Sequence, residues 1–203
     1  TDIAGAGTIV WASGVWREGT SGQDMALVRV PTAGARARAF TWKGPRGRDA
    51  ALAVATARDG SVYTAGYSGG PTRADLCLVK WSSLGRVLWS KRYDGPLHGD
   101  DSAVDVAVDR WGNVTVCGSV ATKLGPRWQV VSYSPAGMVR WTHRRSDRLG
   151  YSSEAKALCV DGLGSVYVTG WRTDSGGQAD AITVKYTKAG TVTWSRLMEG
   201  EDG

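Results

Sequence analysis

Short apolar runs follow one another along the whole chain, each about five to eight residues long and closed by Gly, Asp, Ser or Pro. Many alternate apolar and polar positions, as in SVYVTG and GTVTWSR; others are continuous, as in DLCLVKW. No stretch keeps an apolar period near 3.6 between helix caps, so the pattern predicts strands and almost no helix.

The runs recur at a fixed interval. The motif V-x-x-x-G ends at Gly14, Gly66, Gly118 and Gly170, in three steps of 52 residues. A second apolar run closed by glycine ends at Gly34, Gly85, Gly137 and Gly190. Trp89, Trp141 and Trp194 follow the last three of these glycines in one register, which Arg38 occupies in the first copy. The set Asp49, Ala51, Val54 returns as Asp101, Ala103, Val106 and, drifted, as Ser153, Ala155, Leu158. A period of this length marks a repeat architecture.

Each repeat divides into strands A to D. Arg58-Asp59-Gly60, Arg110-Trp111-Gly112 and Gly162-Leu163-Gly164 between A and B are hairpin turn chemistry, and tight turns such as Ser82-Ser83-Leu84-Gly85 join C to D. One small sheet cannot bury both faces, so serial four-stranded units stack as the blades of a β-propeller. The fold class predicted is all-β, a propeller of four-stranded antiparallel blades, with repeats at about 1–48, 49–100, 101–152 and 153–203 in one domain or half-propeller. The strand D tryptophans are expected between blades, and the small residues of strand A beside the axis.

Composition adds limits. Of 203 residues, 42% are hydrophobic and 22% charged, which suits a packed core and excludes a disordered chain. The 28 glycines, with 10 Trp and 7 Tyr against one Phe, agree with short strands and many turns. No apolar run nears a membrane span, and the first fifteen residues lack a secretory leader's pattern. A net charge of +6 is too mild and too patchy to indicate a nucleic-acid groove. Cys77, Cys117 and Cys159 lie far apart on apolar runs and are expected to be buried thiols, with no metal site or cofactor.

The string GSVYVTGW from Gly164 and the run DAITVKYTKAGTVTWSR from Asp180, with DSAVDVAVDRWGNVTVCG from Asp101, resemble the bacterial seven-bladed β-propeller repeat (beta-propeller repeat) family. The first copy departs from that pattern at Arg38, and the third has Arg127 where the others have Asp24, Asp75 and Asp180. The resemblance implies rings of more than four blades and an exported or cell-surface bacterial protein. Its motifs are core and turn residues, nearly silent on function.

Only Thr1-Asp2-Ile3-Ala4 offers the first repeat a strand A. A four-blade ring, two half-rings joined into one, and a segment of a longer chain all fit; self-association or a longer chain is expected over closure alone, because open blade edges associate.

Loops from B to C and from D to A share one rim and are long, which places ligand binding there. Trp16, Tyr67 and Trp171 follow the strand B glycines, and Arg73, Arg172 and Asp174 lie in the same loops. These six are the candidate ligand-binding residues, for a carbohydrate or a protein chain. No nucleophile motif or phosphate loop is present, so no catalytic residue is assigned; the alternatives are a glycosidase-like hydrolase using Asp100, Asp101 and Asp174, or a purely structural segment. The loop at Asp94 lacks the dense carboxylates of a calcium site.

Overall fold

The computed structural model describes residues 1–18, 22–45, 47–70, 73–145, 152–173 and 176–198. Among these, sixteen strands form four antiparallel sheets of four, each in meander order, and there is no helix. Blade 1 holds β1 (Ile3–Ala6), β2 (Ile9–Trp16), β3 (Asp24–Pro31) and β4 (Arg38–Trp42). Blade 2 holds β5 (Arg48–Thr56), β6 (Val62–Gly69), β7 (Ala74–Trp81) and β8 (Val87–Tyr93). Blade 3 holds β9 (Ser102–Val108), β10 (Val114–Val120), β11 (Arg127–Tyr133) and β12 (Val139–Arg144). Blade 4 holds β13 (Ser153–Val160), β14 (Val166–Thr173), β15 (Ala179–Tyr186) and β16 (Val192–Met198). The short segment at the start of the chain does supply the first blade's strand A.

Steric reasons account for the repeat signature. Strand A bulges opposite Gly66, Gly118 and Gly170, and at each the Ala50, Ser102 or Glu154 carbonyl occupies the place a Cβ would take. In the A to B turns, Asp59, Asp109 and Asp161 accept from the backbone N–H groups of Ser61, Asn113 and Ser165 at 2.8–2.9 Å. The Asn113 side chain also donates to Asp109, at 2.7 Å.

Three apolar clusters join successive blades. Trp11, Met25 and Leu27 of blade 1 meet Val54, Val62, Val79 and Trp81 of blade 2. Tyr63, Leu76 and Leu78 on the other face of blade 2 meet Val106, Val114, Val116 and Val131 of blade 3. Trp128 and Val130 of blade 3 meet Val168, Ile182, Val184 and Tyr186 of blade 4. Among the described residues no fourth cluster joins blade 4 to blade 1, so the four blades form an open, propeller-like stack.

Strand D aromatics seal these junctions. The rings of Trp89 and Trp141 lie against Gly137 and Gly190 in the next blade's C to D turn, and their Nε1–H groups donate to the Pro135 and Lys188 carbonyls, each at 3.1 Å. In blade 1 the aromatic at this place is Phe40, against Gly85, rather than the residue at the tryptophan register; Arg38 instead lies over the Phe40 ring. Trp194 belongs to blade 4, and among the described residues no blade follows it.

Strand A is packed with small residues as expected at Ala51, Ala53, Ala103 and Ala155, all buried. The cysteine expectation needs one correction. Cys77 and Cys117 are buried, but Cys159 is exposed, because strand alternation turns it to the face of blade 4 that no other described sheet covers.

Candidate functional site

The long-loop rim is held by a repeated latch. In blades 2, 3 and 4 the beginning of strand A hydrogen bonds the beginning of strand C in the preceding blade: Asp49 N donates to the Gln23 carbonyl, Asp101 N to Ala74 and Ser153 N to Pro126, at 2.7–3.1 Å. The side chains of the D-x-A motif then fasten the D to A loops. Asp49 accepts from Gly44 N at 2.7 Å, and Asp101 accepts from Gly95 N and, across to the next loop, from Ala121 N at 2.8 Å. A side chain at Gly44 or Gly95 would collide with the carboxylate that holds the loop. Burial pushes the Asp101 carboxyl above its ordinary range, and its two amide donors oppose that shift.

Between blades 2 and 3 this latch leaves a cleft of about 310 Å³ lined by Arg48, Tyr67, Ala74, Asp100, Asp101, Ser102 and Ser119. The Arg48 guanidinium lies 5.3 Å from the centre of the Tyr67 ring. An aromatic ring, a cation, carboxylates and two hydroxyls therefore line one opening between two sheets. Loop residues on both sides of it also line a second cleft of about 360 Å³, with Pro96, Leu97 and Leu124 beside Lys123, Arg144 and Arg145.

The six candidate residues do not meet in one place. Tyr67 is in the first cleft, and Arg73 is exposed at the end of the adjoining loop, where its carbonyl accepts from Gly70 N at 2.8 Å. Trp171 and Arg172 are at the rim of blade 4: Lys156 lies 5.9 Å from the Trp171 ring, and Arg172 Nε is 3.8 Å from Asp180. Trp16 is at the rim of blade 1, 47% exposed. Asp174 lies outside the described residues. Tyr67 and Trp171 occupy equivalent registers, opposite Leu76 and Ala181.

Arg48, Ser102 and Ser119 join Tyr67 in its cleft although none of them is among the six candidate residues. Arg48 directly precedes the Asp49 motif and Ser102 directly follows Asp101, so the latch register is the signal that locates them. Asp75, noted from the repeat pattern, is committed to structure, paired with Arg92 at 2.6 Å. His98 has a left-handed backbone (φ 51°) and an exposed ring 2.6 Å from Asp94.

No protein-family profile and no curated protein matches the chain. Among solved structures, a eukaryotic initiation factor is similar at 8% identity and a TM-score of 0.48, over 92% of this chain and 43% of that one. A quinonprotein alcohol dehydrogenase-like protein from Bacteroides thetaiotaomicron is similar at 15% identity and a TM-score of 0.44, over 97% of this chain and 45% of that one. The chain thus spans less than half the length of either neighbour. It is the four stacked sheets of the chain itself that make it propeller-like.

Proposed function

We propose that the protein is a non-enzymatic propeller scaffold that binds a carbohydrate on its long-loop rim, as an exported or surface protein of the bacterial seven-bladed propeller repeat kind. The observation that carries this reading is the cleft between blades 2 and 3. The face of Tyr67 suits the apolar face of a sugar ring, while Arg48, Asp100, Ser102 and Ser119 offer donors and acceptors for hydroxyls. The scaffold around it is rigid, since the adjoining strands are buried and latched, so little ordering cost opposes binding. The non-enzymatic part is supported by Asp101, whose two carboxylate oxygens are occupied by the Gly95 and Ala121 amides that fasten the loops.

A protein ligand is favoured by a different observation, the second cleft, where apolar Leu97 and Leu124 border Lys123 and Arg144. An acidic, partly apolar peptide has the matching chemistry.

Screening the chain on an array of neutral and acidic oligosaccharides, followed by calorimetry with any hit, separates these readings. Binding that drops at least tenfold in Tyr67→Ala and is unchanged in Leu97→Ala supports the sugar cleft. The reverse pattern, with an acidic peptide library as the probe, supports the second cleft. Release of reducing ends from an array sugar overturns the non-enzymatic reading.

A further inference from the structure

The two ends of the blade stack differ from each other, and each has what the other lacks. We propose that blade 4 of one copy receives blade 1 of a second copy, head to tail, so that two chains close one ring. Each such junction then brings Trp171 of one chain beside Trp16 of the other at the rim; the use of that composite cleft for a ligand rests on the rim-binding reading above.

The uncovered face of blade 4 is already built as a junction. At the blade 2–blade 3 junction, Tyr63 meets Trp89 edge-on at 5.8 Å, with Lys80 5.4 Å from the Tyr63 ring. Blade 4 repeats the arrangement with Tyr167 and Trp194 at 6.1 Å and Lys185 4.9 Å from the Tyr167 ring. Beside them an almost wholly apolar hollow of about 300 Å³ opens among Ala157, Cys159, Tyr167, Thr169 and Thr183. In blade 2 the corresponding surface is filled by Val114, Val116 and Val131 of blade 3. The same registers in blade 1 hold Val10, Ala12 and Val28, on its uncovered face.

The turns tell the same story. Gly85, Gly137 and Gly190 each lie against an aromatic ring of the preceding blade, whereas Gly34, in the same turn with φ +78°, has nothing within 4 Å of where a Cβ would be. Conversely Trp194 is the strand D tryptophan that lies on no turn glycine. Seating blade 1 on blade 4 places Gly34 under that ring and offers the Thr32 carbonyl to its Nε1–H.

The innermost strands match too. Asp2 accepts from Ile3 N at 2.8 Å and from Val54 N of the next blade at 3.1 Å; Asp105 accepts from Val106 N and from Leu158 N of the next blade, both at 2.7 Å. Blades 2 and 4 carry Ala53 and Ala157 at this register. A blade with alanine therefore has to be followed by one that brings its own aspartate, as blade 3 follows blade 2. Blade 1 is such a blade, and this points to a second copy as the occupant.

Light scattering on a sizing column across a dilution series reads the state directly. The expected species has twice the 21.6 kDa chain mass. Ala181→Arg, at an exposed position on the uncovered face of blade 4, is expected to give the single-chain mass with an unchanged strand circular dichroism spectrum. Leu163→Glu, in an exposed turn on the opposite rim, keeps the double mass. An independent check is covalent. Cys159 takes the register of Ala55 and Gly5 that of Val108, which both pack at the edge of the blade 2–3 cluster. Gly5→Cys is therefore expected to form an oxidised dimer that Cys159→Ser abolishes. A single-chain mass at every concentration overturns the proposal, as does a double mass that Ala181→Arg leaves intact or a mass that climbs without limit. Tyr67→Ala leaves the double mass in place, so failure of the sugar cleft and failure of the ring read out separately.

Discussion

Blades 2 and 4 are built from nearly the same sequence pattern and differ in what covers them. In β7, all eight residues from Ala74 to Trp81 are buried, because blade 1 packs on one face and blade 3 on the other. In β15 the alternate residues Ile182, Val184 and Tyr186 are buried against blade 3, while Ala181 is exposed and Thr183 and Lys185 lie only partly covered. The composition follows. Leu76 and Leu78 in blade 2 become Ala181 and Thr183 at the same registers in blade 4. The strand face covered on both sides carries bulky apolar side chains, whereas the uncovered face of blade 4 carries small and hydroxylated ones beside Tyr167 and Trp194.

The largest expected effect comes from truncation at equivalent sites, in the Ala181→Arg background so that blade 4 stays uncovered. Leu78→Ala is expected to cost about 2–5 kcal/mol in urea unfolding, since it empties a sealed junction. Thr183→Ala is expected to cost less than about 0.5 kcal/mol. Equal losses would mean that the two faces are not differently covered.

Next in size is a glycine pair. Gly190→Ala adds a methyl group into the Trp141 ring at φ +88°, for an expected cost of about 3 kcal/mol from strain and crowding together. Gly34→Ala in the same background meets no neighbour and carries only the backbone strain, about 1 kcal/mol. Thermal unfolding of both variants reads the difference.

The smallest expected effect is on acid stability. His143 stands 3.2 Å from the Tyr186 hydroxyl at the blade 3–4 junction, and burial, then Arg145, holds its pKa below the ordinary 6.5. As pH falls through about 6.5 the unfolded chain therefore takes up this proton before the folded one, and stability is lost from there down. His143→Gln is expected to flatten the fall in melting temperature between about pH 7 and 5, and to leave the neutral value nearly unchanged.

Much of this was legible in the chain because propeller repeats are governed by short-range sterics. Gly66, Gly118 and Gly170 are periodic for a reason any sequence displays: a carbonyl occupies the place of their side chains. The blade count, the meander and the inter-blade role of Trp89 and Trp141 follow from the same kind of regularity. What periodicity hides is which faces have a neighbouring sheet against them. Cys159 reads like Cys77 in its local pattern but lies on strand A, on the face of blade 4 that no other described sheet covers, and Trp194 reads like Trp141 but borders the same uncovered face. Phe40 was masked by counting from Gly34, since blade 1 reaches the next turn from a different position. The cleft around Tyr67 collects Arg48, Ser102 and Ser119 from three strands on two blades, a convergence that no local window contains.

The aspartates at the axis carry a consequence for how such a chain can grow. Each of Asp2 and Asp105 serves two amides, its own blade's and its neighbour's, so the hydrogen-bonding unit is a pair of blades rather than one. Duplicating a single blade would set two alanines or two carboxylates side by side, leaving amides without acceptors in the first case and like charges crowded together in the second. Copying two blades at once preserves every bond. Parity is thus written into the innermost strand, and viable descendants of this architecture are expected to gain or lose blades by twos.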